Sequence, residues 1–173
     1  MLSASIDLCH FRAVRRRAHY TRRMRIRPTA IADLELILHQ RREMFREMGG
    51  DYERGLQAFE NASRTYLVTA LENGSYYGLL GEMNNEVVAG GGVLLAAWPG
   101  SPLNLDPRRA WILNIYVEPE FRRRGLARAI AKSLIEWCRQ EGFQSVALHA
   151  SEYGRSLYES LGFRSTNEMR LRL

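Results

Sequence analysis

The residues best equipped for chemistry are Phe121-Arg122-Arg123-Arg124-Gly125-Leu126-Ala127-Arg128. A short loop that runs into a helix leaves the first amide N–H groups without partners and points them outward. With the positive end of the helix dipole they make an anion site. Gly125 has no side chain to obstruct a phosphate, and Ala127 is nearly as small. Arg122, Arg123, Arg124 and Arg128 bring guanidinium groups that can grip phosphate bidentately to the same point. Taken alone, three consecutive arginines more often make a solvated face, and no dinucleotide or nucleoside-triphosphate fingerprint occurs. The setting raises the signal: a buried strand, a Pro-Glu turn, the Arg-Gly loop, then the best helix in the chain.

That setting is read from periodicity. Ala110 to Val117 (AWILNIYV) is almost wholly apolar and predicts a central strand covered on both faces, ended by Glu118-Pro119-Glu120. Leu126, Ile130, Leu134 and Cys138 recur at i, i+4 within residues 125–141, and Gly142 supplies the stop. Residues 144–150 read as a strand, so 110–150 is a strand–helix–strand unit with parallel strands and a right-handed crossover. Upstream, residues 24–28 form a short strand and Thr29 offers an N-cap. Ile31, Leu34, Ile37, Leu38, Arg41 and Phe45 then set a helix over 30–47, and a second helical pattern covers 51–72. Tyr76 to Met83 and Val87 to Trp98 alternate as strands about Asn84-Asn85-Glu86, a natural hairpin turn. A short helix over 152–161 and an alternating strand over 163–173 close the chain. The order predicts an α+β fold: a mixed, mostly antiparallel central sheet with helices on both faces.

At 173 residues the chain supports one core rather than two domains. The net charge of +6 invites a polyanion partner until it is mapped. Residues 1–25 carry seven arginines against Asp7, whereas residues 26–173 carry 18 basic and 18 acidic residues. The body is neutral, which argues against nucleic acid as its partner. Residues 1–23 read as a basic, disordered extension ahead of a domain over 24–173. A transit peptide, an arm for acidic polymers and an upstream extension before a start at Met24 all suit that composition, and the last suits it best. The tail lacks the apolar core of a secretory signal, and no apolar run approaches the roughly 20 residues of a membrane helix. Cys9 and Cys138 make no disulfide framework. The expected location is the cytoplasm, with no membrane partner.

The string YVEPEFRRRGLARAI resembles the acetyl-CoA-binding motif of the Gcn5-related N-acetyltransferase (GNAT) superfamily. Its core, Gln/Arg-x-x-Gly-x-Gly/Ala, is met by Arg122, Gly125 and Ala127. SEYGRSLYESLGF, from Ser151 to Phe163, resembles the superfamily's next motif, with Ser151 where many relatives have asparagine and Gly154 where they have alanine. The resemblance spans about residues 24–173. It implies that the strand 110–117 splays from the parallel strand 145–150 and that the pantetheine arm pairs with the backbone of Ile115, Tyr116 and Val117. It also implies that the pyrophosphate sits on the amides of Arg123, Arg124, Gly125, Leu126, Ala127 and Arg128, that Val117 N–H is the oxyanion donor, and that Ser151 keeps a weaker cofactor contact.

The implied reaction is direct acetyl transfer from acetyl-CoA to an amine of a small molecule or peptide, without a metal. An ammonium of pKa ~10 has no lone pair, so a base is needed, and a thiolate of pKa ~8.5 needs an acid. The resemblance assigns the acid to Tyr158, against the alternative of a helix tyrosine packed on the sheet with its hydroxyl bonded. Glu118 is the candidate base, directly or through water, and a solvated strand-end carboxylate is an equal reading of it. Glu82 is a weaker candidate. His149 reads as structural and Cys138 as core. Asp51, Glu53, Tyr76, Tyr77 and Trp98 lie in segments expected to meet the acceptor, and acids with aromatics suit a cationic amine. The alternative function is a non-catalytic acyl-CoA-binding or sensor module, which would keep the loop and lose the acid. A homodimer is a further expectation, because a final strand of this kind often mediates dimers in the superfamily.

Overall fold

The computed structural model describes residues 24–49 and 55–171. Strand β1 (Arg25–Pro28) leads through a 3₁₀ turn into helix α1 (Leu34–Met48), and α2 (Leu56–Glu72) follows. Then come β2 (Tyr76–Met83), β3 (Glu86–Ala97), β4 (Arg108–Val117), α3 (Leu126–Gln140), β5 (Val146–Leu148) and α4 (Glu152–Glu159). The five strands form one sheet in chain order. The first three pairings are antiparallel and β4 with β5 is parallel, as expected. Asn84 and Asn85 turn the β2–β3 hairpin at φ values of 57° and 65°, a region asparagine tolerates better than most residues.

Helices cover both faces because each carries one apolar stripe. Ile130, Leu134 and Cys138 of α3 pack against Leu79, Val88, Val93 and Ile112 of the sheet. Ile37 and Leu38 of α1 meet Leu67 and Ala70 of α2 over Tyr76 on the opposite face. Two glycines of β3 let that second layer sit close. A Cβ at Gly92 would run into the Tyr76 ring, and one at Gly90 into the Gln40 side chain. Full burial of a leucine such as Leu134 stabilises the fold by about 1.5–3 kcal/mol.

Strand β4 carries the feature that shapes the site. Leu113 pairs with Gly92 and Tyr116 with Gly90, so three residue steps of β4 run against two of β3. The extra residue is a bulge, and Asn114 occupies it at φ 59°. Asn114 is the one polar residue in an apolar run and belongs to the few types that adopt this conformation readily. The bulge breaks the alternation of faces. Leu113 and Asn114, adjacent in sequence, both turn toward α1 and α2, whereas Ile115 and Val117 turn toward α3. The strand is buried on both faces, as expected: Ala110, Ile112 and Val117 lie in the core beneath α3 and Asn114 is buried on the α1 and α2 side, whereas Trp111, Leu113 and Ile115 are half-buried.

Two further expectations are corrected. The strand predicted over 144–150 pairs only through Val146–Leu148. Residues 163–171, predicted as a final strand, form none, and Met169 and Leu171 stand 95% and 82% exposed. Alternation creates a strand only where a neighbour offers a ladder, and β5 offers three residues. The expected tail, residues 1–23, lies outside the described residues.

Candidate active site

The loop between β4 and α3 is built to expose amides. Arg123 and Gly125 both adopt positive φ, at 62° and 79°, and Gly125 caps α3 without a side-chain bond. The first backbone bond across this junction is Ala129 N–H to the Gly125 carbonyl. The N–H groups of Arg123 through Arg128 have no acceptor among the described residues. Open space surrounds the position a Gly125 Cβ would take, so glycine is needed for its φ rather than for packing. The helix behind these amides runs for 15 residues, which puts a full N-terminal dipole at the cluster.

The adjoining end of β4 is open. Pairing with β5 covers Ala110, Trp111 and Ile112 and stops there. Glu118 N–H donates to the Val88 carbonyl at 2.9 Å, which makes Val117 and Ala89 a non-hydrogen-bonded pair. The N–H and C=O of Val117 therefore point away from β3, into the gap that β5 leaves. Ile115, Tyr116 and Val117 thus line that gap next to the amide cluster.

The arginines do not act alike. Arg122 turns back: its Nε donates to the Val117 carbonyl at 2.9 Å, its Nη2 to Glu47 at 2.5 Å, and its guanidinium covers the Tyr116 ring. It clamps the loop to β4 and α1. Arg124 lies on Phe121 and donates to the Glu120 carbonyl. Arg128 donates to Ser160 Oγ at 2.7 Å, tying the start of α3 to the end of α4. Arg123 alone of the four has no side-chain partner among the described residues.

Tyr158 lies on α4, two residues before Ser160, the residue Arg128 reaches from the start of α3. Its ring meets Phe163 edge-on at 5.9 Å, and its hydroxyl has no hydrogen-bond partner among the described residues. Burial raises its pKa above the ordinary 10.0. Ser151 caps α4, its Oγ accepting from Gly154 N–H at 3.2 Å, so that oxygen already serves a local bond.

Glu118 follows β4 directly and is partnered from α1. Its Oε1 accepts from His39 Nε2 at 3.1 Å. Arg42 Nη2 approaches His39 Nδ1 at 3.4 Å. A guanidinium can only donate, so Nδ1 is the acceptor and Nε2 carries the hydrogen that Glu118 receives. The pair orients one carboxylate oxygen and leaves Oε2 without a partner among the described residues. His39 was not evident beforehand, because helical spacing alone does not say which strand end a polar helix residue meets.

Other candidates fall away. Glu82 is held by Arg27 at 2.6 Å and by Arg25 at 3.7 Å, a structural tie between β1 and β2. Tyr77 stacks on Trp137 with ring centroids 4.0 Å apart, on the α3 side of the sheet. Tyr76 is buried between the sheet and the first two helices, and burial pushes its phenol to about 12. Burial likewise pushes the Cys138 thiol to about 11, which fits core rather than nucleophile. His149 pairs with Glu168 at 3.1 Å on the surface. Asp51 and Glu53 lie outside the described residues. No helix among the described residues is long and apolar enough to cross a membrane.

Comparison with known proteins agrees with this geometry. Residues 34–163 match the model of the acetyltransferase (GNAT) family. The solved structure of a GCN5-related N-acetyltransferase from Ralstonia eutropha JMP134 superposes with a TM-score of 0.81 at 36% identity, covering 87% of this chain and 99% of that one. A predicted acetyltransferase from Clostridium acetobutylicum, solved with acetyl-CoA, superposes at 0.76 with 24% identity, covering 87% and 96%. Human N-acetyltransferase 8 is 28% identical over 78 residues, which are 43% of this chain and 34% of that protein. The chain therefore spans about a third of the length of that curated relative.

Proposed function

The chain belongs to the acetyltransferase (GNAT) family, and we propose that it transfers the acetyl group of acetyl-CoA directly to an amine of a small molecule or peptide. One observation carries this reading: a strand end without a parallel partner abuts a helix start whose amides have no acceptor. A linear cofactor with a diphosphate at one point and an amide-bearing arm beyond it needs both features side by side.

The residues fit acetyl-CoA. The amides of Arg123 to Arg128 would hold the diphosphate, aided by the Arg123 guanidinium, and Ile115 to Val117 would pair with the pantetheine amides. Arg122 fixes the loop through Nε and Nη2, and its Nη1 would be left for the diphosphate. Acetyl-CoA, when bound, supplies an activated thioester carbonyl. Val117 N–H, directed into the gap, would donate to the carbonyl oxygen as charge develops on it. Glu118 Oε2 would take the amine proton, directly or through water, while His39 steadies Oε1. Tyr158 would return a proton to the departing thiolate. A phenol keeps its proton at neutral pH in any case, and burial extends that into more alkaline solution.

The non-catalytic sensor reading keeps the amide cluster but needs neither Tyr158 nor the Glu118–His39 pair. Release of free CoA, followed over a panel of amines, aminoglycosides, polyamines, amino acids and peptides, tests the choice. Acceptor-dependent release matched by N-acetylated product is the expected result. Saturable acetyl-CoA binding without release for any acceptor would favour the sensor.

A further inference from the structure

Arg41 differs from the other half-buried arginines around α1. Arg27 holds the carboxylates of Asp33 and Glu82, and Arg42 those of Glu43 and Glu60. Arg41 is also half-buried, yet no carboxylate reaches it among the described residues. Its Nε donates to Ser63 Oγ at 3.2 Å and its Nη1 to Asn114 Oδ1 at 2.5 Å. The rings of Phe45 and Phe59 flank it, 5.3 and 4.9 Å from the guanidinium carbon. Nη2 has no acceptor among the described residues. Burial lowers the Arg41 pKa, whereas acid partners raise those of Arg27 and Arg42. An arginine stays charged regardless. A cation kept partly out of water without a counter-ion is costly unless something completes it.

Its position says what completes it. Asn114, which holds the guanidinium, immediately precedes Ile115–Val117, the stretch open to the gap. The bulge that turns Asn114 toward α1 thus sets Arg41 beside the reacting end of the site. We infer that Arg41 binds a carboxylate on the acceptor, so that the substrates are amines that also bear a carboxylate, such as amino acids or short peptides with a free C-terminus. The inference rests on the acyl-transfer reading above. A guanidinium fork matches a carboxylate geometrically. One positive charge also balances one carboxylate but not a phosphate dianion. The neighbouring cations Arg42 and Arg46 are already matched by Glu60 and Glu43. The two flanking rings thin out the water around the pair and strengthen it.

Matched acceptor pairs test this: phenylalanine against phenethylamine, lysine against cadaverine, and glycylglycine against its C-terminal amide. CoA release is read at saturating acetyl-CoA, and acetyl-CoA binding is measured separately by calorimetry. The carboxylated members should be favoured by about 10- to 100-fold in kcat/KM, the range of charge-assisted hydrogen bonds, with the difference mainly in KM. Arg41→Leu should erase the preference. Because that variant can fail to fold, Asn114→Asp is the second test. It sets an internal carboxylate on Arg41, keeps a residue that tolerates positive φ, and should erase the preference with no fall in melting temperature. Equal use of both members by the wild type, use of no carboxylated amine, or a preference that survives Asn114→Asp would overturn the inference. Transfer that ignores the carboxylate defeats this inference alone, whereas absence of acetyl-CoA binding defeats the acyl-transfer reading with it.

Discussion

In the proposed reaction Tyr158 and Glu118 would move protons in opposite directions, and their surroundings differ. Tyr158 is partly desolvated and its hydroxyl has no hydrogen-bond partner among the described residues, and burial raises its pKa. Tyr158→Phe should lower kcat by about 10²–10³-fold, within the usual range for losing a general acid, and leave the KM for acetyl-CoA little changed. Burial moves the phenol above 10.0, so the wild-type rate should hold through mildly alkaline pH and fall only above that value as the acid form is lost. Glu118 has one oxygen steered by His39 and the other available. Glu118→Gln should cost about 10²-fold or more in kcat. His39→Gln, which keeps a donor to Oε1, should cost much less. Steady-state rates on the two variants separate a proton acceptor from a residue that positions it. The motif context is what singles out Tyr158 in the sequence. The Glu118–His39 pair was only half legible, because His39 and Glu118 are 79 residues apart and meet through the packing of α1 on β4.

At the level of elements, the Arg-Gly loop and the helix behind it were readable because each signal is local: small residues, a stop at Gly142 and a regular apolar stripe. The bulge at Asn114 was less so. A polar residue in an apolar strand marks an irregularity, but its effect on facing needs the β3 register. The last strand was misread for a related reason, since pairing depends on a neighbour that the alternating sequence does not describe. The sequence makes the arginines one cluster of phosphate ligands, yet Arg122 commits Nε and Nη2 to Val117 and Glu47. Backbone geometry, more than arginine count, should therefore govern cofactor affinity. Gly125→Ala tests this: at φ 79° the new Cβ costs about 1–2 kcal/mol of local strain and tips the loop out of its amide-presenting form. The KM for acetyl-CoA should rise several-fold, more than for Arg124→Ala, although the glycine substitution removes no charge.

Over the whole molecule, residues 26–173 are neutral, and the net +6 is carried by residues 1–25. Stability is tied together at the β1 edge of the sheet, where Arg27 joins Asp33 and Glu82. Hydrogen bonding from Arg27 holds Asp33 below its ordinary 3.8. A carboxylate depressed in the folded state stabilises above its ordinary value and loses that contribution as pH falls below it. Asp33→Asn should therefore cost about 1–3 kcal/mol at neutral pH and flatten the acid limb of a melting-temperature profile below about pH 4. The central claim is that one strand end and one helix start together hold acetyl-CoA. Titrating acetyl-CoA into ¹⁵N-labelled protein and following backbone amide shifts tests it most directly. Saturable changes should be largest at Arg123 to Arg128 and at Val117. Saturation with those amides unmoved, or no saturation at all, would contradict the account.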